Sequence, residues 1–198
     1  MGLTLNEIAP PIRLRPDPPM TDAEFMRFCA ANESMRFERE PDGEILVMTP
    51  AGNRTGRINA YIVQILGNWS DLVGRGYSFD SSTGFTLPDG SLRSPDASWV
   101  LASRWDALTE EDKDRASPLC PDFIIELRSP SGRLRPLQEK MKMWIVNGAQ
   151  VAWLIDPTEK AVTIYRPGDE PEHLPHPTSV QGTGPIAGFE LVMSRIWE

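Results

Sequence analysis

Apolar positions along the chain recur in two periods. Between Arg54 and Val73, the residues Ile58, Tyr61, Ile62, Ile65, Leu66, Trp69, Leu72 and Val73 stand at three- and four-residue steps. That spacing predicts one long amphipathic helix with a core-facing side. A shorter helix is predicted over TDAEFMRFCAAN, where Thr21 followed by Glu24 matches a capping box and Phe25, Phe28 and Cys29 share a face. A third is predicted over LRPLQEKMKMWIVNG, closed by Gly148.

The other period is that of extended chain. MRFEREPDGEILVMTP reads as two runs around Pro41-Asp42-Gly43, a β-hairpin whose first strand carries Glu38. GYSFDS, TGFTL, SPDASWVLA and DFIIEL read as short strands, and QVAWLID with AVTIYR as a strand pair around residues 157–160. SRWDALTEEDKDR is a polar helical excursion, and the tail GFELVMSRIWE ends the chain in a strand or a short helix. Strands alternating with helices predict an α/β fold, a central mixed sheet flanked by helices. Five prolines among the first twenty residues predict an extended arm over 1–20, with one domain over 21–198.

Composition narrows the function classes. The net charge of -8 argues against a general nucleic-acid coat, which depends on a surplus of Lys and Arg to neutralise phosphates. The charge is uneven, however: Arg128 to Lys142 holds five basic residues against one acid, so a local basic patch is expected there. No run of about 18 apolar residues is present and the first residues lack a secretory order, which points to the cytoplasm and away from a membrane. Cys29 and Cys120 lie far apart, as expected of reduced core thiols.

The candidate chemistry lies in two acids with similar lead-ins: Asp96 in RSPDASWV and Glu126 in PDFIIELRS. An acid at the end of an apolar run loses solvation unless a partner, an ion or water compensates it. Oxygen ligands suit a hard divalent ion, and Mg2+ is commonly held by one or two carboxylates plus water and phosphate oxygens. If the two strands are neighbours, both acids reach one ion. Alternation puts Ile124, Glu126 and Arg128 on one face, so a cation at Arg128 is expected beside Glu126. Lys140, on the following helix one turn before Trp144, offers a second cation that would orient or deprotonate a water, or stabilise charge developing on a phosphate.

The order RFERE, SPDASWV, PDFIIELRSPS, EKMKMW, NGAQVAWLIDP and IYRPG resembles the Uma-two family of the PD-(D/E)XK restriction-endonuclease-like superfamily, over most of residues 20–197. The resemblance implies a nuclease-like core that binds Mg2+, or Mn2+, and cuts phosphodiester bonds of nucleic acid, DNA in the first instance. It implies Asp96 and Glu126 as metal ligands, Glu38 as a further site acid, and Lys140 as a site lysine moved from the sheet to the helix; Glu38 would then bind a water of the ion's shell or a second ion. The chain departs from the pattern in carrying Arg128 where the E-x-K lysine stands, no acid in the loop SPSGRLRPLQ, and Thr55 with no histidine before the long helix. Restriction enzymes often act as dimers, so a homodimer is one expected form, although no apolar interface is evident in the sequence.

Two other functions fit the same residues: a nuclease-fold binding or structural module without turnover, and a metal-dependent hydrolase of small phosphoesters. Arg133 and Arg135 are the expected backbone contacts. Arg54 and Arg57 open the long helix, where an anion could bind, but read more simply as solvated side chains. The six tryptophans mostly follow strand or helix periods and are expected in the core, and His173 and His176 in a surface loop.

Overall fold

The computed structural model describes residues 12–48 and 50–198. The first eleven residues of the expected arm lie outside these, but Ile12–Leu14 is a strand, β1, rather than a free extension. Helix α1 (Asp22–Ala31) starts at Thr21 with both halves of the capping box made: the Thr21 side chain accepts from Glu24 N, and the Glu24 carboxylate accepts from Thr21 N at 2.9 Å. Strands β2 (Arg36–Arg39) and β3 (Ile45–Met48) form the expected hairpin, with Gly43 in the turn at φ +86°, a region that side chains disfavour. β1 pairs antiparallel with β3.

Helix α2 (Asn53–Val73) buries Ile58, Ile62, Leu66 and Trp69, as the period predicts. Leu72, expected on that face, is 85% exposed in the last turn before Gly74 reverses the chain. The short strands follow: β4 (Gly76–Asp80), β5 (Phe85–Thr86), β6 (Leu92–Arg93) and β7 (Ala97–Leu101). The polar excursion is two single-turn helices, α3 (Ala102–Trp105) and α4 (Glu110–Lys113), the second capped by Thr109. Next come β8 (Phe123–Leu127), α5 (Leu134–Val146) and the antiparallel pair β9 (Val151–Asp156) and β10 (Ala161–Tyr165). Beyond Asn147, Gly148 adopts φ +114° and turns the chain into β9.

The last elements are β11 (Glu172–Pro175), β12 (Ser179–Gln181), β13 (Glu190–Val192) and α6 (Ser194–Trp197), so the tail is both a strand and a helical turn. His173, expected in a loop, lies exposed on β11, because β11 extends the sheet by pairing with β10. His176 is exposed just beyond that strand with φ +48°.

The central sheet has the order β11-β10-β9-β8-β7-β4, and only β8 and β9 run parallel. A parallel neighbour requires a crossover, which α5 supplies. The sheet is therefore mixed and flanked by helices, as expected. Phe123, Ile125 and Leu127 of β8 pack on the α2 side with Ile58, Ile62 and Leu66. Ile124 packs on the other side with Met141 and Trp144 of α5. Glu126 follows Ile124 by two residues and therefore also faces α5.

A second sheet, β1-β3-β2-β6-β5, lies over α1: Phe37 and Ile45 join Phe25 in its core. Glu38, between Phe37 and Arg39, points to the opposite face, toward α5. Trp99, Trp144 and Trp153 are fully buried, and both cysteines are free, Cys120 buried and Cys29 half-buried. Among the described residues no helix is long and apolar enough to cross a membrane.

Candidate active site

Asp96 occupies a bend immediately before β7, and antiparallel pairing does the rest. Ala97 is opposite Ile125 and Ser98 opposite Ile124, so one step further brings Asp96 abreast of Glu126. The Asp96 carboxylate then accepts the Leu127 amide at 2.7 Å through Oδ2. Two acids 30 positions apart are thereby fixed side by side by backbone geometry.

Lys140 closes the site from α5. Its Nζ lies 2.9 Å from Glu126 Oε1 and 2.9 Å from Glu38 Oε1, bridging the two sheets. Trp144, one turn along the helix, donates its indole N–H to Glu126 Oε1 at 2.9 Å. Glu38 is held on its other side by Arg93, which reaches Oε2 at 3.1 Å and also pairs with Glu40. The Ser94 amide completes the Glu38 shell at 3.3 Å. All four sequence-predicted site residues are thus brought together.

Arg128 is not with them. It pairs with Asp156 at 2.6 Å and donates to the Gly132 carbonyl at 2.8 Å. The expectation that it lies beside Glu126 fails because β8 ends at Leu127, and the alternation that would have directed its side chain ends there too. The cation on Glu126 is Lys140.

Four carboxylates, Glu38, Glu40, Asp96 and Glu126, meet two cations, Arg93 and Lys140, and the imbalance is visible in their ionisation. Burial raises the Glu126 carboxyl to about 7 against the pull of Lys140, and the Asp96 and Glu38 charges push the same way. Burial likewise raises Asp96, opposed by the Leu127 amide and by Lys140. Burial would also raise Glu38, but Lys140 and Arg93 outweigh it and hold the carboxyl below the ordinary range. Burial alone would lower Lys140, yet Glu126 and Glu38 on either side hold it above its ordinary range, as an ammonium.

Among the described residues, no group of three His, Cys, Asp or Glu side chains forms a metal cage. Glu38 is diverted to Lys140 and Arg93, which leaves Asp96 and Glu126. Neither Asp96 Oδ1 nor Glu126 Oε2 accepts a hydrogen bond from a described residue. Two hard oxygens with excess negative charge fit a Mg2+-type ion that keeps water or phosphate oxygens as its other ligands.

Sequence reasoning missed Arg93 and Glu40. Arg93 is almost fully buried in a two-residue strand, and a buried arginine declares itself only through its partners, which lie 53 and 55 positions away. Trp144 was recognised as sharing a face with Lys140, but not as a donor to Glu126. Arg133 and Arg135 are exposed at the start of α5, and Arg57 stands 3.6 Å from Glu198.

Residues 22–194 match the Uma2 family model, whose description reads "Putative restriction endonuclease". The chain belongs to this family. The Uma2 match spans every residue of the site, from Glu38 to Trp144. The fold is also that of a crystal structure described as a putative nuclease from Anabaena variabilis. That protein is 23% identical to this chain with a TM-score of 0.72, over 90% of this chain and 98% of the other. At that identity the likeness shows a shared fold. No curated protein matches.

Proposed function

We propose that this Uma2 chain is a metal-dependent nuclease that hydrolyses phosphodiester bonds of DNA, with Asp96 and Glu126 holding Mg2+ or Mn2+. One observation carries the reading: strand register sets Asp96 abreast of Glu126, with Lys140 2.9 Å from the latter. The description of the family and that of the structural relative support it. When bound, the ion would polarise a phosphate oxygen and make a bound water more acidic.

The chain's own residues supply the rest. Lys140, protonated between two carboxylates, acts as a hydrogen-bond donor and a fixed positive charge rather than as a proton acceptor. Glu38, with both oxygens engaged by Arg93, Ser94 and Lys140, holds that ammonium in place instead of binding an ion. Trp144 and Lys140 share Glu126 Oε1 and so leave Oε2 for a ligand. Arg133 and Arg135, exposed at the α5 start, contact the nucleic-acid backbone.

The test is cleavage of single- and double-stranded DNA by purified protein with Mg2+, Mn2+ or EDTA, run beside Asp96→Asn. Cutting that needs metal and disappears in the variant is the expected result; cutting that persists in a folded Asp96→Asn protein rejects the assignment. The net charge of -8 favours a second reading, a nuclease-fold binding module without turnover. Absence of cleavage, together with no Mg2+ binding by calorimetry, would select it.

A further inference from the structure

We propose that Arg36 is a substrate-binding residue at the mouth of the site, gripping a backbone phosphate of the strand being cut; the inference rests on the nuclease reading above. Arg36 begins β2 two positions before Glu38, so the two side chains leave the same face of the strand, with backbones roughly 7 Å apart. The pairing of Arg39 with Leu92 sets Glu38 abreast of Arg93, the last residue of β6, and the chain beyond it leads through Ser94 and Pro95 to Asp96, on which the Arg36 charge acts. Ser94 N donates to the Glu38 carboxylate at 3.3 Å, which keeps the segment leading to Asp96 within reach of that side chain.

The other cations of this sheet are committed. Arg13 and Arg15 pair with Glu44, Arg39 with Asp22, and Arg93 with Glu38 and Glu40. Arg36 is exposed and forms no ion pair with a described residue, although its charge is felt by both Asp80 and Asp96. Its guanidinium fork therefore remains available for the paired hydrogen bonds that a phosphate accepts. Its cross-strand partner is Met48, which is 37% exposed, so an apolar surface lies beside the cation on the same face.

A polyanion approaching this cluster meets more carboxylates than cations, on a chain whose net charge of -8 gives no general attraction. A cation outside the buried ion-pair network and beside Asp96 offsets that repulsion where the strand enters. Paired Arg93 and Lys140 cannot serve this purpose without giving up their carboxylates.

The experiment measures binding of a short fluorescein-labelled DNA, as single strand and as duplex, by anisotropy across a salt series. Glu126→Gln serves as the background so that no cleavage intervenes, and Arg36→Gln and Arg36→Lys are added to it. The expected result is affinity weaker by on the order of tenfold in Arg36→Gln, with a log-log salt slope smaller by about one. Arg36→Lys keeps the slope, since the charge remains, and recovers part of the affinity; a merely structural arginine would shift the melting temperature and leave the slope alone. Equal affinity and slope in Arg36→Gln, with wild-type Mg2+-dependent cleavage intact, overturns the role of Arg36 and spares the nuclease reading. No binding of either probe and no cleavage by wild type overturns both.

Discussion

Lys140 and Glu38, 102 positions apart in the chain, meet at 2.9 Å and join the helix of the central sheet to the strand of the second one. Lys140 is only 18% exposed, and its other partner, Glu126, is buried. The ammonium is thus both a tie between two sheets and the positive charge nearest the candidate metal ligands.

Replacing Lys140 with Met keeps the bulk and removes the charge. Cleavage should fall at least about a hundredfold, the scale of losing a fixed electrostatic donor. Lys140→Arg, which restores a positive charge with different geometry, should recover part of that activity. Full activity in Lys140→Met would remove the residue from the mechanism.

Arg93→Met separates positioning from contact. Arg93 touches no candidate metal ligand but pairs with two carboxylates, one of them the buried Glu38. Removing one partner from a buried network costs roughly 3–5 kcal/mol, because the remaining charges stay desolvated. Urea unfolding should therefore show a loss of several kcal/mol. A change below about 1 kcal/mol would mean that water replaces the guanidinium freely.

These two residues mark how far the sequence could be read. Lys140, Glu126 and Asp96 were legible because each sits in or beside an element with clear periodicity, and the family motifs order them. Register completed the picture: strand spacing in β7 and β8 determines that Asp96 comes abreast of Glu126. Arg93 was not legible, since β6 is only two residues long and carries no period. Arg128 was misplaced because alternation was extended one residue past the end of β8, where the backbone turns toward Gly132 and the side chain finds Asp156. Strands β11 and β12 escaped notice among Pro171, Pro175 and Pro177, residues that mark edges more often than strands.

Metal binding should be visible without catalysis. An ion that binds only the folded chain stabilises it by about 2.7 kcal/mol at a hundredfold excess over Kd, and for a chain of this size each kcal/mol raises Tm by about 2–4 °C. Mg2+ or Mn2+ should therefore raise Tm in wild type by several degrees. Asp96→Asn should respond little at the same concentration. An equal shift in the variant would locate the ion elsewhere.

Between pH 4.5 and 7 the carboxylate cluster sets the sign of the pH dependence of stability. In EDTA, Glu126 keeps its proton up to about 7 when folded, but releases it near 4.5 once unfolded. Between those values the folded chain binds more protons than the unfolded one, so stability falls as pH rises, by up to about 1.4 kcal/mol per pH unit. Glu38 acts in the other direction and in another window: its carboxyl is held low, so its contribution is lost only as pH falls below about 4.5. Glu126→Gln should shrink the decline between pH 4.5 and 7, leaving only the part due to the raised Asp96 carboxyl, and keep the acid limb. Saturating Mg2+ should flatten the same decline in wild type, because the ion requires the carboxylates ionised and displaces the proton. Urea unfolding measured across this range reads both effects, and a decline that persists unchanged in Glu126→Gln would assign the proton to a different group.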